Sequence, residues 1–81
     1  MRRPDRAVSA RLDDAGAPTA FCWYGRWYRV AERLDEWVYR TPWWVEGAEE
    51  QSFYRVRVAE GGVFELMVGP DRGVRVYRVF D

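Results

Sequence analysis

The chain has 81 residues, room for one domain with one modest core and no second domain. Its thirteen basic residues, all Arg, balance thirteen Asp and Glu, so no net field draws it toward nucleic acid or an anionic membrane. There is no His, which removes Ser/His/Asp and Cys/His catalysis, and Cys22 stands alone, which removes an internal disulfide and a cysteine-built metal cluster.

Five Trp, five Tyr and four Phe give the chain its means of closing a core without staples, because each large ring buries roughly 150–250 Å². Lys, Asn and Ile are absent, the pattern of a GC-rich coding sequence, so basicity carried by Arg alone is weak support for phosphate recognition. Residues 1–11 hold no apolar run of signal-peptide length, and no stretch approaches 18 apolar residues. A cytoplasmic protein with no membrane segment is the expectation.

From Met1 to Pro18 the chain is charged and small, with Pro4, Asp13, Asp14, Gly16 and Pro18 as breakers. Only Val8, Ala10 and Leu12 alternate, which predicts a flexible tail over residues 1–17 with one short strand. Thr19 to Val30 reads as a hairpin, with Tyr24-Gly25-Arg26 where a tight turn would reverse the chain. Ala31 to Arg40 is ambiguous: Val30, Leu34, Trp37 and Val38 fit a helical spacing, while Trp37-Val38-Tyr39 are strand formers and favour a third strand.

Thr41-Pro42 ends that element, Trp43 and Trp44 follow, and the acidic Glu46 to Gln51 reads as a solvated loop. Three strand-length runs close the chain: Phe53 to Val58, Val63 to Val68 and Val74 to Phe80, separated by Glu60-Gly61-Gly62 and Gly69-Pro70-Asp71-Arg72-Gly73. Strict alternation puts Tyr54, Val56 and Val58, then Phe64, Leu66 and Val68, then Val74, Val76 and Phe80 on the core face. Arg55, Arg57, Glu65, Tyr77 and Val79 fall on the opposite, partly wet face. The expected fold is therefore all-β: a five- to six-stranded antiparallel meander over residues 18–81, forming a strongly bent sheet or partly closed barrel.

Catalytic patterns are thin. The pairs Asp13-Asp14, Asp35-Glu36 and Glu49-Glu50 are sequence neighbours in polar surroundings that raise no pKa, and neighbours on a strand point to opposite faces. The glycines lie between strands and lead into no phosphate-binding helix. What stands out is aromatic surplus: Trp27, Trp37, Trp43 and Trp44 exceed what so small a core can hide, and Trp27 is out of phase with Tyr28 and Val30. With Arg29, Arg55 and Arg57 they form the candidate binding surface, suited to a protein partner or to stacking single-stranded bases. No enzyme activity, cofactor or metal is expected.

The run Pro18-x-x-Phe21-x-Trp23-x-Gly25-x-x-Tyr28-x-Val30, followed by Leu34-x-x-Trp37, Trp43-Trp44, Tyr54-Arg55-Val56, Phe64-Glu65-Leu66 and Arg78-Val79-Phe80-Asp81, resembles a bacterial family of short proteins without an assigned function. A similar pattern closes the inactive Y-family-polymerase-like subunit of the bacterial translesion-synthesis mutasome, an adaptor; this chain has Val74 where that pattern has Trp. The resemblance implies a DNA-damage-tolerance setting and brings no functional residues with it. The leading expectation is a protein-interaction module of the repair or replication machinery; the alternatives are a single-stranded nucleic-acid binder and a domain that associates with its own copies.

Overall fold

In a computed structural model that describes residues 6–40 and 50–80, the chain is built of strands: β1 (Arg6–Val8), β2 (Ala10–Leu12), β3 (Pro18–Trp23), β4 (Arg26–Arg40), β5 (Glu50–Val58), β6 (Val63–Val68) and β7 (Val74–Phe80). All pairings are antiparallel, in the spatial order β1-β7-β6-β5-β4-β3-β2. The two ends of that order are consecutive in sequence. Residues 6–12 pair first with β7, Arg6 opposite Val76, and past Ser9 with β3, Ala10 opposite Phe21. The Cys22 amide donates to the Ser9 carbonyl at 2.8 Å at the crossing point. The result is a nearly closed barrel, and residues 6–12, as the two short strands β1 and β2, are the segment that closes it.

Local chemistry sets the turns. Tyr24 and Gly25 both have positive φ, 51° and 77°, as a two-residue hairpin loop requires between the paired Trp23 and Arg26. Between β2 and β3 the Asp13 carboxylate accepts from the Ala15 and Ala17 amides, each at 2.9 Å, so the breaker residues form an ordered turn. After β6 the Asp71 carboxylate accepts from the Gly73 amide while the Gly69 amide donates to the Gly73 carbonyl.

The inner face is the core expected from alternation. Tyr54, Val56 and Val58, with Phe64, Leu66, Val68, Val74 and Val76, are buried around a fully enclosed Phe21. Phe21 stacks on Tyr28 and meets Phe64 edge-on with centroids 4.9 Å apart, tying β3 and β4 to β6.

Three sequence readings need correction. The hairpin's second strand and the third strand are one continuous 15-residue strand, β4, whose ambiguous half is β throughout. Bulges between Val30 and Glu32 and between Arg33 and Asp35 interrupt its alternation and produce the false helical spacing. Glu50 and Gln51, read as loop, open β5 opposite Arg40 and Tyr39; the rest of that acidic stretch lies outside the described residues. Phe80 is not on the core face. A bulge opposite the Glu65/Leu66 step inserts one extra residue into β7, so Val79 packs on the core and Phe80 turns outward beneath the Arg55 guanidinium.

Candidate binding groove on the outer face of the sheet

The outer face carries the features that the core does not account for. In register across it lie Asp35, Arg55, Glu65 and Arg78, a row of alternating charge on four neighbouring strands. Beside that row run Trp37, Phe53 and Met67. Trp37 and Phe53 stack nearly parallel with centroids 5.5 Å apart, and Tyr77, beside the β7 bulge, meets Phe53 edge-on at 5.4 Å. All of these side chains but Asp35, together with Tyr39 and Gln51, line an open groove of about 510 Å³.

Its floor is Glu65, a carboxylate only 1% exposed. Arg55 Nε donates to Glu65 Oε2 at 2.8 Å, and its Nη2 stands 2.7 Å from the same oxygen. Arg78 Nε stands 3.7 Å from Oε1, buried and without a hydrogen-bond partner among the described residues. A buried carboxylate is tolerable only when paired, and two guanidiniums pair it here. The guanidiniums are in turn held by rings: Arg55 lies over Trp37 and Phe80, and Arg78 over Tyr77, at 5.2–6.0 Å from the centroids. Rings and ion pairs therefore support one another across the groove.

Of the residues expected to bind, Trp37 and Arg55 come together in this groove. Arg57 lies next to it on the same face, paired with Glu32. Trp27 and Arg29 sit at the other end of β4. Trp27 is 45% exposed under the Arg11 guanidinium at 5.4 Å, and Arg29 pairs with Glu60, whose carboxylate also accepts from the Arg29 amide at 3.0 Å. Trp43 and Trp44 lie outside the described residues. Phe53, Glu65, Met67, Tyr77 and Arg78 were missed as site residues. The hairpin turn after β5 already places Glu65 opposite Arg55, and that signal was legible; Arg78 depends on the bulge.

The contact between Glu60 and the backbone of Arg29 lowers the carboxyl pKa below the ordinary glutamate range, the amide hydrogen bond being the largest cause. Cys22, half-buried on β3, pairs with Trp27, at the end of β4 away from the groove residues Trp37 and Tyr39. No helix among the described residues is long and apolar enough to cross a membrane.

Fold and groove define a small all-β domain, closed through its first strands, with a ring-and-ion-pair surface outside the core. The chain belongs to the family described as Domain of unknown function (DUF6504), matched over residues 5–78, which takes in six of the strands whole and β7 as far as Arg78. No curated protein and no solved structure matches it.

Proposed function

We propose that the domain is a non-enzymatic protein-interaction module whose docking surface is the groove lined by Trp37, Phe53, Tyr77, Arg55 and Arg78. The observation that carries this reading is the buried Glu65. It occupies the hydrogen-bonding edge of Arg55 and faces Arg78, so these cations present ring-packed flat surfaces more than open charge. Trp, Tyr and Arg held rigidly around a concave patch are the residue types that dominate protein hot spots. Arg57, Arg29 and Arg40 are likewise paired, with Glu32, Glu60 and Glu50. A phosphate backbone would have to displace these carboxylates, which weighs against single-stranded nucleic acid as the first ligand. The setting we propose, bacterial DNA repair or translesion synthesis, rests on the sequence likeness to the mutasome adaptor alone.

The test is an affinity capture from lysates of damage-treated bacteria, run with the wild-type protein and the Trp37→Ala variant. Recovery of an identified replication or repair protein by the first and not the second is the expected result; recovery of none by either removes this reading. In parallel, single-stranded DNA is titrated at low and physiological salt while Trp emission is followed. Salt-sensitive quenching there would put the nucleic-acid reading first.

A further inference from the structure

Among the described residues, one edge of the longest strand is largely unpaired. β3 accompanies β4 only from Arg26 to Arg29, whereas β5 accompanies it to Arg40, so among the described residues no strand pairs with the second edge of β4 beyond Arg29. An open edge is a template for another strand unless it is guarded. The near part is guarded, because both bulges of β4 fall between Val30 and Asp35 and break the flat ladder. From Glu36 to Arg40 the register with β5 is unbroken, and Trp37, Val38 and Tyr39 are 36%, 54% and 57% exposed.

This stretch, Glu36-Trp37-Val38-Tyr39-Arg40, is complementary to itself when reversed. Laid antiparallel about a two-fold axis at Val38, Glu36 of one copy falls opposite Arg40 of the other. Trp37 then meets Tyr39, and the two Val38 side chains meet on the axis. Every pair is of a kind that stabilises antiparallel ladders: opposite charge, aromatic on aromatic, β-branched on β-branched. Moving the axis by one residue, to Trp37, sets Glu36 against Val38 and Arg40 against Leu34; moving it to Glu36 sets like charges face to face.

We infer that the protein forms a two-fold symmetric dimer by pairing β4 with β4 of a second copy across Glu36–Arg40. The partner is another copy of this chain because the charge pattern is self-complementary, as an isologous contact requires. In that arrangement Glu36, now beside Arg33 at 3.2 Å, and Arg40, beside Glu50 at 2.7 Å, join into one network of alternating charge. Trp37 and Tyr39 share the outer face, so the two grooves become one continuous surface across the axis. The dimer uses the strand edge, while partner capture is read at the groove, so Tyr77→Ala separates the two: it removes a groove ring and leaves the edge intact.

The test is sedimentation velocity over a wide concentration range on the full chain, with two charge reversals. Glu36 and Arg40 have side chains 59% and 75% exposed, and near-UV circular dichroism verifies that each variant keeps its packing. Glu36→Arg and Arg40→Glu each set like charges opposite at two symmetry-related places, and each alone is expected to weaken the dimer by about tenfold or more. Mixed together they restore it, because one chain then carries two cations and the other two carboxylates along the same edge. Val38→Lys, which puts two cations on the axis without touching the ion pairs, is expected to give monomer. A wild-type monomer at every concentration overturns the inference, as does a dimer indifferent to both reversals or a mixture that stays monomeric.

Discussion

Glu65 is a charged side chain where a hydrophobic residue would be cheaper, and its neighbours say what holds it there. Breaking a fully buried ion pair costs about 3–5 kcal/mol. Arg55 is 41% exposed at its side chain and water can partly take over its solvation, so Glu65→Gln is expected to cost about 2 kcal/mol, read as a lowered urea midpoint at unchanged slope. Glu32→Gln, in a pair whose members are both 52% exposed, is expected to shift stability by less than about 0.5 kcal/mol. Equal losses for the two variants would show that the groove floor is no more organised than the surface.

Glu60 gives a pH signature at the same scale. Its carboxyl pKa is lower in the folded chain than its ordinary value, through the Arg29 amide first, then its own backbone amide and the Arg29 guanidinium. The stability it contributes is therefore present above the ordinary glutamate pKa, about 4.3, and is lost as pH falls through the lower folded value. Denaturation midpoints followed from pH 6 downward are expected to fall less steeply below that point for Glu60→Gln than for the wild type. An unchanged acid limb would mean that the contact does not persist in solution.

Among the elements, β7 shows how much of the fold was legible and where legibility stopped. The hairpin of β5 and β6 could be read from strand-length apolar runs around Gly61-Gly62, and its register followed, including Arg55 opposite Glu65. The next hairpin begins equally well, with Val68 opposite Val74. One extra residue near Tyr77 then reverses the faces, and no turn residue or glycine advertises it. Alternation alone thus sent Phe80 inward and gave Arg78 no partner. The bulges of β4 misled in the same way, lending a strand the apolar spacing of a helix. Burial periodicity is robust where a ladder is regular and fails at single-residue insertions, which are where this groove is made.

A deletion tests that account. Removing Tyr77 should leave Arg78 opposite Glu65 and Val79 opposite Phe64 in an unbroken ladder, so the domain is expected to keep cooperative unfolding and lose about 1–2 kcal/mol. The groove would lose the ring that closes Phe53 edge-on. Collapse of near-UV circular dichroism in this variant would mean that the bulge is required by the barrel and not by its outer surface.

At the scale of the whole molecule, closure, aromatic content and charge balance belong together. A neutral chain of this size has no long-range field to steer a ligand, so recognition falls to short-range contacts on rigid surface. The barrel supplies that rigidity by spending residues 6–12 on both ends of the sheet, with Val8, Ala10 and Leu12 packed against the core. Wild-type protein is thus expected to show slow amide exchange in β3 and β7 as well as in the central strands, and Val8→Ala to accelerate exchange in β7 before β5.

That same closing segment dictates an order of events. Arg6 and Val76 are neighbours in space and nearly the full chain apart in sequence, whereas β5, β6 and β7 are joined by short turns. Contacts between distant residues carry the loop-closure entropy of everything between them, so the meander can assemble early and the first strand can dock only late. Substitutions at Val56 and Leu66 are accordingly expected to slow folding, and substitution at Val8 to speed unfolding, in stopped-flow measurements. On the ribosome the domain's first strand has no place to dock until its seventh follows, and the domain finishes its fold only after that strand has left the tunnel.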